Sequence, residues 1–184
     1  MCDVASPSPD LTESCEPLHF RDVIGRFASG VTVLTARDGE ADHGMTASAI
    51  CSLSLEPPML LACVNRAVST REAISRGGVF AVNVLHEGQG DLARHFAAPR
   101  ADKFAGLDVH RGALGSPRLS EALAGIECRV TQDIEGGTHS VFLAEVVQAE
   151  GREGRPLAYF RGGFGRLEPP ATPADAFELY AGWT

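Results

Sequence analysis

Residues 43–65 read HGMTASAICSLSLEPPMLLACVN, and the fold turns on how this stretch is read. It opens on Gly44-Met45-Thr46-Ala47-Ser48, mostly very small residues, and continues as an alternating strand. A Pro57-Pro58 turn then leads into a second apolar strand that ends at Cys63-Val64-Asn65. Side chains this small let a flat ligand approach the backbone and use its N–H and C=O groups. A flavin ring needs such a site, with donors and acceptors along one edge and apolar surface on its faces. Taken from the residues alone, it is one candidate among several.

Working outward, Phe20, Val23, Ile24 and Phe27 carry the spacing of an amphipathic helix over 20–30. Gly30 then releases the chain into the strand Val31-Thr32-Val33-Leu34-Thr35. β-branched or alternating stretches predict strands at about 43–55, 59–65, 79–85, 126–134, 139–149 and 156–161. Short helices are predicted at about 69–76, 88–97 and 117–124. The strands succeed one another in hairpin-like order without regular βαβ alternation, which favours an antiparallel barrel over a doubly wound sheet. The fold class is therefore mainly β with short helices. One domain is expected over 18–167, after a disordered leader at 1–17 rich in Ser, Pro and Glu. A C-terminal tail at 168–184 is expected to be irregular, ending in a short docked segment with Phe177, Tyr180 and Trp183.

A chain of 184 residues suffices for a sizeable core. Its 16 basic and 24 acidic residues, net −8, argue against nucleic acid as a partner, so any phosphate must be held by a local site. Cysteines at 2, 15, 51, 63 and 128 are odd in number and form no CxxC pair, and read as reduced thiols. No apolar run approaches the roughly 20 residues that span a bilayer. The start Met1-Cys2-Asp3 lacks the basic and apolar regions of a signal peptide. A cytoplasmic protein with no membrane partner is expected.

Several motifs could carry chemistry. Ser69-Thr70-Arg71-Glu72 fits a capping box, and a helix N-terminus with two hydroxyls suits a phosphate, with Arg66 or Arg71 to neutralise charge. The alternative is an ordinary helix cap. Gly88-Gln89-Gly90-Asp91-Leu92-Ala93 fits G-x-G-x-x-A after a strand. No second parallel strand succeeds it, and Asp91 would repel a pyrophosphate, so the glycines are read as a helix entry. Neither a Walker loop nor a G-x-S-x-G elbow is present. The six histidines lack metal-ligand spacing. His139 stands at a strand entrance, where a surface role and a functional one are both open. By default Lys103 is a solvated charge, and Phe96, Phe104, Tyr159 and Phe164 are core aromatics.

Taken in order, the segments from Phe20 to Leu167 resemble the short-chain flavin reductase family, the reductase components of two-component flavin-dependent monooxygenases. They include Arg26-Phe27-Ala28-Ser29-Gly30-Val31-Thr32-Val33, Gly44-Met45-Thr46-Ala47-Ser48, Ser52-Leu53-Ser54 with Pro57-Pro58, and Cys63-Val64-Asn65. Phe80-Ala81-Val82-Asn83-Val84-Leu85, Phe96-Ala97, Asp102-Lys103-Phe104, Cys128, His139, Glu145-Val146 and 156–162 (PLAYFRG) continue the match. The resemblance implies an antiparallel split β-barrel of the FMN-binding type. It implies flavin contacts at Thr46, Ala47, Ser48, Cys63, Val64 and Asn65, and phosphate contacts near Ser69 and Thr70. Phe96 and Lys103 match positions near the flavin tail or ring edge. His139 matches the nicotinamide-docking histidine, in Gly137-Thr138-His139 where the family commonly has Gly-Asp-His.

The reaction this resemblance implies is hydride transfer from NADH (or NADPH) to FAD (or FMN), FAD being favoured by analogy, with no general base required. Reduced flavin would diffuse to a partner monooxygenase, and similar proteins are usually homodimers. Two rivals use the same barrel: a non-catalytic flavin-binding or electron-carrier protein, towards which Thr138 leans, and an oxidase of the pyridoxamine-phosphate type. The second would need an arginine cluster for its substrate phosphate, and none is evident.

Overall fold

The computed structural model describes residues 15–168. Residues 1–14 and 169–184, with most of the expected leader and tail and the three aromatic residues of the docked segment, lie outside the described residues. The first helix, α1 (Pro17–Ile24), starts where Glu16 accepts the Leu18 and His19 N–H groups, and Pro17 supplies a first-turn residue that needs no donor. Next come the short strand β1 (Ser29–Gly30) and the longer β2 (Thr32–Asp38), and then β3 (Ala41–Ala47), β4 (Ile50–Leu55) and β5 (Pro58–Asn65). After α2 (Ser69–Gly77) come β6 (Val79–Val84), α3 (Gly90–Ala97), β7 (Val109–Arg111) and β8 (Pro117–Leu119). Two 13-residue strands, β9 (Ala124–Gly136) and β10 (His139–Gly151), precede the hairpin β11 (Leu157–Phe160) and β12 (Gly163–Arg166).

Seven strands form one sheet in the order β3-β2-β6-β9-β10-β5-β4, and every pairing is antiparallel. Its two edge strands, β3 and β4, are consecutive in the chain and joined only by Ser48 and Ala49. Three Cα–Cα steps span at most about 11 Å. The sheet must therefore curl until its edges nearly meet, giving a barrel that is split at residues 48–49. The single strand expected over 43–55 is in fact these two edges with the split between them.

Alternation along the strands fills the barrel. On β5, Leu60, Ala62 and Val64 are buried, and they meet Phe142, Ala144, Leu34, Phe80 and Cys128 in the interior. Ala73 and Ile74 of α2 join this core. A second core lies on the opposite face of β2 and β3, where Phe96 and Ala93 of α3 pack with Val33, Val31 and Leu157.

Two further sequence expectations need correction. Residues 117–124 contain no helix: Pro117–Leu119 is a strand paired with β7. Buried side chains take its backbone groups, with Thr35 donating to the Pro117 carbonyl and Asn83 accepting the Leu119 N–H at 2.8 Å. Glu127 adds bonds from the Leu114 and Ser116 N–H groups at 2.8 and 2.9 Å. The Ser69–Glu72 capping box does not form either. Val68 is the N-cap, and no side chain caps the helix. Asn65 instead accepts the Ala67 N–H at 2.9 Å and turns the chain into α2 one residue early.

Candidate functional site

An open cleft of about 830 Å³ lies at the split. Its floor is the outer face of β4 and β5, with Cys51, Leu61 and Cys63, and Ser48, Ala49 and the adjoining Ile50 form one rim. Facing them are Leu18, Arg21, Asp22 and Gly25 of the α1 segment, and Tyr159, Arg161 and Gly162 of the β11–β12 hairpin. Strand alternation explains the floor: as Leu60, Ala62 and Val64 turn inward, Leu61 and Cys63 turn outward. Ser48 and Ala49 are exposed, and the Ala49 carbonyl accepts the Cys63 N–H at 3.0 Å, which fixes the rim against the floor. As an edge strand, β3 leaves part of its backbone N–H and C=O groups without strand partners. A flat apolar floor beside backbone donors and acceptors fits a flavin ring, and the volume lies in the range of small-molecule pockets.

The far wall is basic. Asp22 pairs with Arg26 at 3.0 Å and, more loosely, with Arg161 at 3.8 Å. The hydrogen bond from Arg26, reinforced by its charge, holds the Asp22 carboxyl below the usual carboxylate range.

Of the residues singled out in the sequence, Ser48 and Cys63 line the cleft. Thr46 and Ala47 lead into the rim: the Thr46 hydroxyl donates to the Ala93 carbonyl at 2.6 Å, and the Ala47 carbonyl accepts from Thr32. Val64 is fully buried in the barrel. Asn65 pairs with His139 in the β5–β10 ladder, and Ser69 opens α2 nearby while the Thr70 side chain is buried. His139 Nδ1 shares a 2.9 Å hydrogen bond with the Thr138 hydroxyl. Arg66 and Arg71, considered for a phosphate, pair with Glu135 and Asp133. Phe96 is fully buried, and Lys103 donates from Nζ to the Gly44 and Phe96 carbonyls at 3.0 and 2.7 Å. Both therefore lie on the α3 side of β3.

The family model described as flavin reductase like domain matches residues 24–168. The chain belongs to this flavin reductase family. A relative from Rhodococcus opacus, the reductase component of 4-nitrophenol 4-monooxygenase/4-nitrocatechol 2-monooxygenase, is 48% identical over 160 residues, covering 87% of this chain and 86% of the relative. The reductase subunit HsaB of a flavin-dependent monooxygenase from Rhodococcus jostii is 38% identical over 173 residues, covering 94% and 89%. Among solved structures, the NADH:FAD oxidoreductase SgcE6 of Streptomyces globisporus, in complex with NAD and FAD fragments, aligns with a TM-score of 0.81 at 36% identity, over 88% of this chain and 100% of that one. The curled antiparallel sheet is the split barrel of flavin reductases.

The far wall is what sequence reading missed in this flavin reductase. Arg21, Asp22, Tyr159 and Arg161 lie far from the small-residue strand in the chain and reach the cleft only through α1 and the β11–β12 hairpin. The amphipathic spacing over 20–30 did mark α1, but not which of its sides faces a ligand.

Proposed function

We infer that this chain is an NAD(P)H:flavin oxidoreductase that reduces FAD or FMN and supplies reduced flavin to a partner monooxygenase. The observation that carries the reading is the cleft at the barrel split, where the small-residue rim of Ser48 and Ala49 stands over the apolar floor of Leu61 and Cys63. Bound flavin supplies the acceptor for a hydride from the nicotinamide cofactor. The chain's own residues bind and orient. Backbone N–H groups near Ala47 and Ser48 would stabilise negative charge gathering at the ring edge. The N-terminus of α2, with Ser69 and Thr70, offers a partial positive charge to a flavin phosphate just beyond Asn65. Phe96 and Lys103 bear on the flavin by backing β3 at Gly44. His139 holds the nicotinamide cofactor in place, and the Thr138 hydroxyl orients its imidazole where the family commonly has an aspartate.

The working form is a homodimer. α1 buries no side chain within its own chain, and Leu18, Phe20, Val23, Ile24 and Phe27 stand 49–76% exposed. Beside it, the outer sheet face bearing Met59, Leu61, Val141 and Leu143 is apolar where a solvated face would be polar. A second copy covers both and roofs the cleft. Reduced flavin leaves by diffusion, in the cytoplasm. The test is oxidation of NADH and of NADPH by the purified protein with FAD, FMN or no flavin. Turnover that saturates with one added flavin is expected. Tight flavin binding without turnover would favour an electron carrier instead.

A further inference from the structure

The basic wall of the cleft has a feature that the barrel does not require. Arg161 occupies the turn between β11 and β12 at φ +48°, and among the described residues no other non-glycine has positive φ. Gly162 comes next at φ +84°, so the turn takes the left-handed conformation at both central positions, where Asn, Asp or Gly is ordinarily found. An arginine there is strained, and such strain persists where a functional position holds it. The Arg161 N–H donates to the Gly25 carbonyl at 3.0 Å, tying the turn to the end of α1.

The guanidinium is largely uncommitted. Its one carboxylate neighbour among the described residues is Asp22 at 3.8 Å, too long for a hydrogen bond, and Asp22 is already bonded to Arg26 at 3.0 Å. The Arg161 side chain is 55% exposed. Arg21 lines the same cleft and has no carboxylate within ion-pairing distance among the described residues. Within one chain, the two cleft arginines Arg21 and Arg161 thus share a wall whose one aspartate, Asp22, is already bonded to Arg26, in a chain whose net charge is −8. Such a concentration of unmatched guanidinium groups suits a phosphoryl anion, which arginine can grip in two places.

We propose that Arg161 and Arg21 form an anion-recognition site for the pyrophosphate of an adenine dinucleotide entering the cleft, separate from the α2 N-terminus. The proposal rests on the reductase reading, in which both FAD and the nicotinamide cofactor carry that group. Asp22 and Arg26 hold the site in shape, and the strained turn aims Arg161 into it.

The test is binding, measured by flavin fluorescence and by calorimetry, of FAD, riboflavin and NAD+ to the wild-type protein and to Arg161→Asn, Arg161→Lys and Arg21→Gln. Asparagine tolerates the left-handed conformation, so Arg161→Asn keeps the turn, and its melting temperature should not fall. Arg161→Asn and Arg21→Gln should each weaken FAD or NAD+ by about tenfold, an effect that shrinks as salt is raised. Riboflavin, which has no phosphate, should change less than about twofold. Arg161→Lys should recover part of the loss. Loss confined to FAD or to NAD+ would identify which dinucleotide the site takes. Equal weakening of riboflavin, or no weakening of either dinucleotide, would overturn the proposal while leaving wild-type turnover, and the reductase reading, intact. A wild-type protein that bound neither dinucleotide would remove both.

Discussion

Gly44 and the cysteines show how far single residues shape the site. A Cβ at Gly44 would stand 2.6 Å from the Phe96 ring and 3.1 Å from Phe104, two packed aromatic side chains that meet edge to face. Gly44→Ala should therefore cost about 1–3 kcal/mol by overpacking, read as a lower denaturant midpoint, and should also weaken flavin binding as β3 shifts. That the Gly-Met-Thr-Ala-Ser stretch mattered was legible in its small side chains, but the aromatic pair behind Gly44 comes from far along the chain. Burial, reinforced by the neighbouring Glu127 charge, pushes the Cys128 thiol up to about 12. Cys128 should resist maleimide until the protein unfolds, whereas Cys51 and Cys63, on the cleft floor, should label and be protected by FAD. Peptide mass spectrometry after timed labelling separates the sites, and equal labelling with and without FAD would place the flavin elsewhere.

At the scale of elements, one half-buried lysine adds to the Thr46–Ala93 hydrogen bond in holding α3 against β3. Lys103 donates to the last-turn carbonyl of Phe96 and to Gly44, so it caps α3 and anchors the strand at once. Desolvation holds its ammonium below the usual lysine value of 10.5. Between the folded value and 10.5 the unfolded chain therefore binds more protons, and stability gains a contribution that rises with pH across that window. Denaturant midpoints of the wild type and Lys103→Met, compared from about pH 8 upward, should diverge in the wild type's favour as 10.5 is approached. A difference independent of pH would mean that the ammonium is not desolvated. Elements with strong periodicity, such as β5, β10 and α2, were legible in the sequence to within a few residues. Residues 117–124 were not, because Thr35 and Asn83, both far away in the chain, take the Pro117 carbonyl and the Leu119 N–H.

For the whole molecule, α1 is the telling segment. It carries an apolar face yet buries nothing in its own chain. Leu18→Glu combined with Phe27→Glu should leave the barrel folded by circular dichroism and shift sedimentation from dimer to monomer, with flavin reduction falling more than about tenfold, since charges at a desolvated apolar contact are costly. A dimer that survived both charges would put the interface elsewhere.

The antiparallel class, most strands, the amphipathic helix ahead of them and the small-residue rim could be read from the residues, because they rest on alternation, spacing and side-chain size, which are local properties. Ordered short matches along the chain also carried the family. Where the barrel splits, that Thr46, Val64 and Phe96 turn away from the cleft, and that Arg21 and Arg161 share its far wall emerge only once the chain is folded. The cause is the curl of the sheet: joining its two edges through Ser48 and Ala49 brings distant segments together, and no local pattern records which residues then become neighbours.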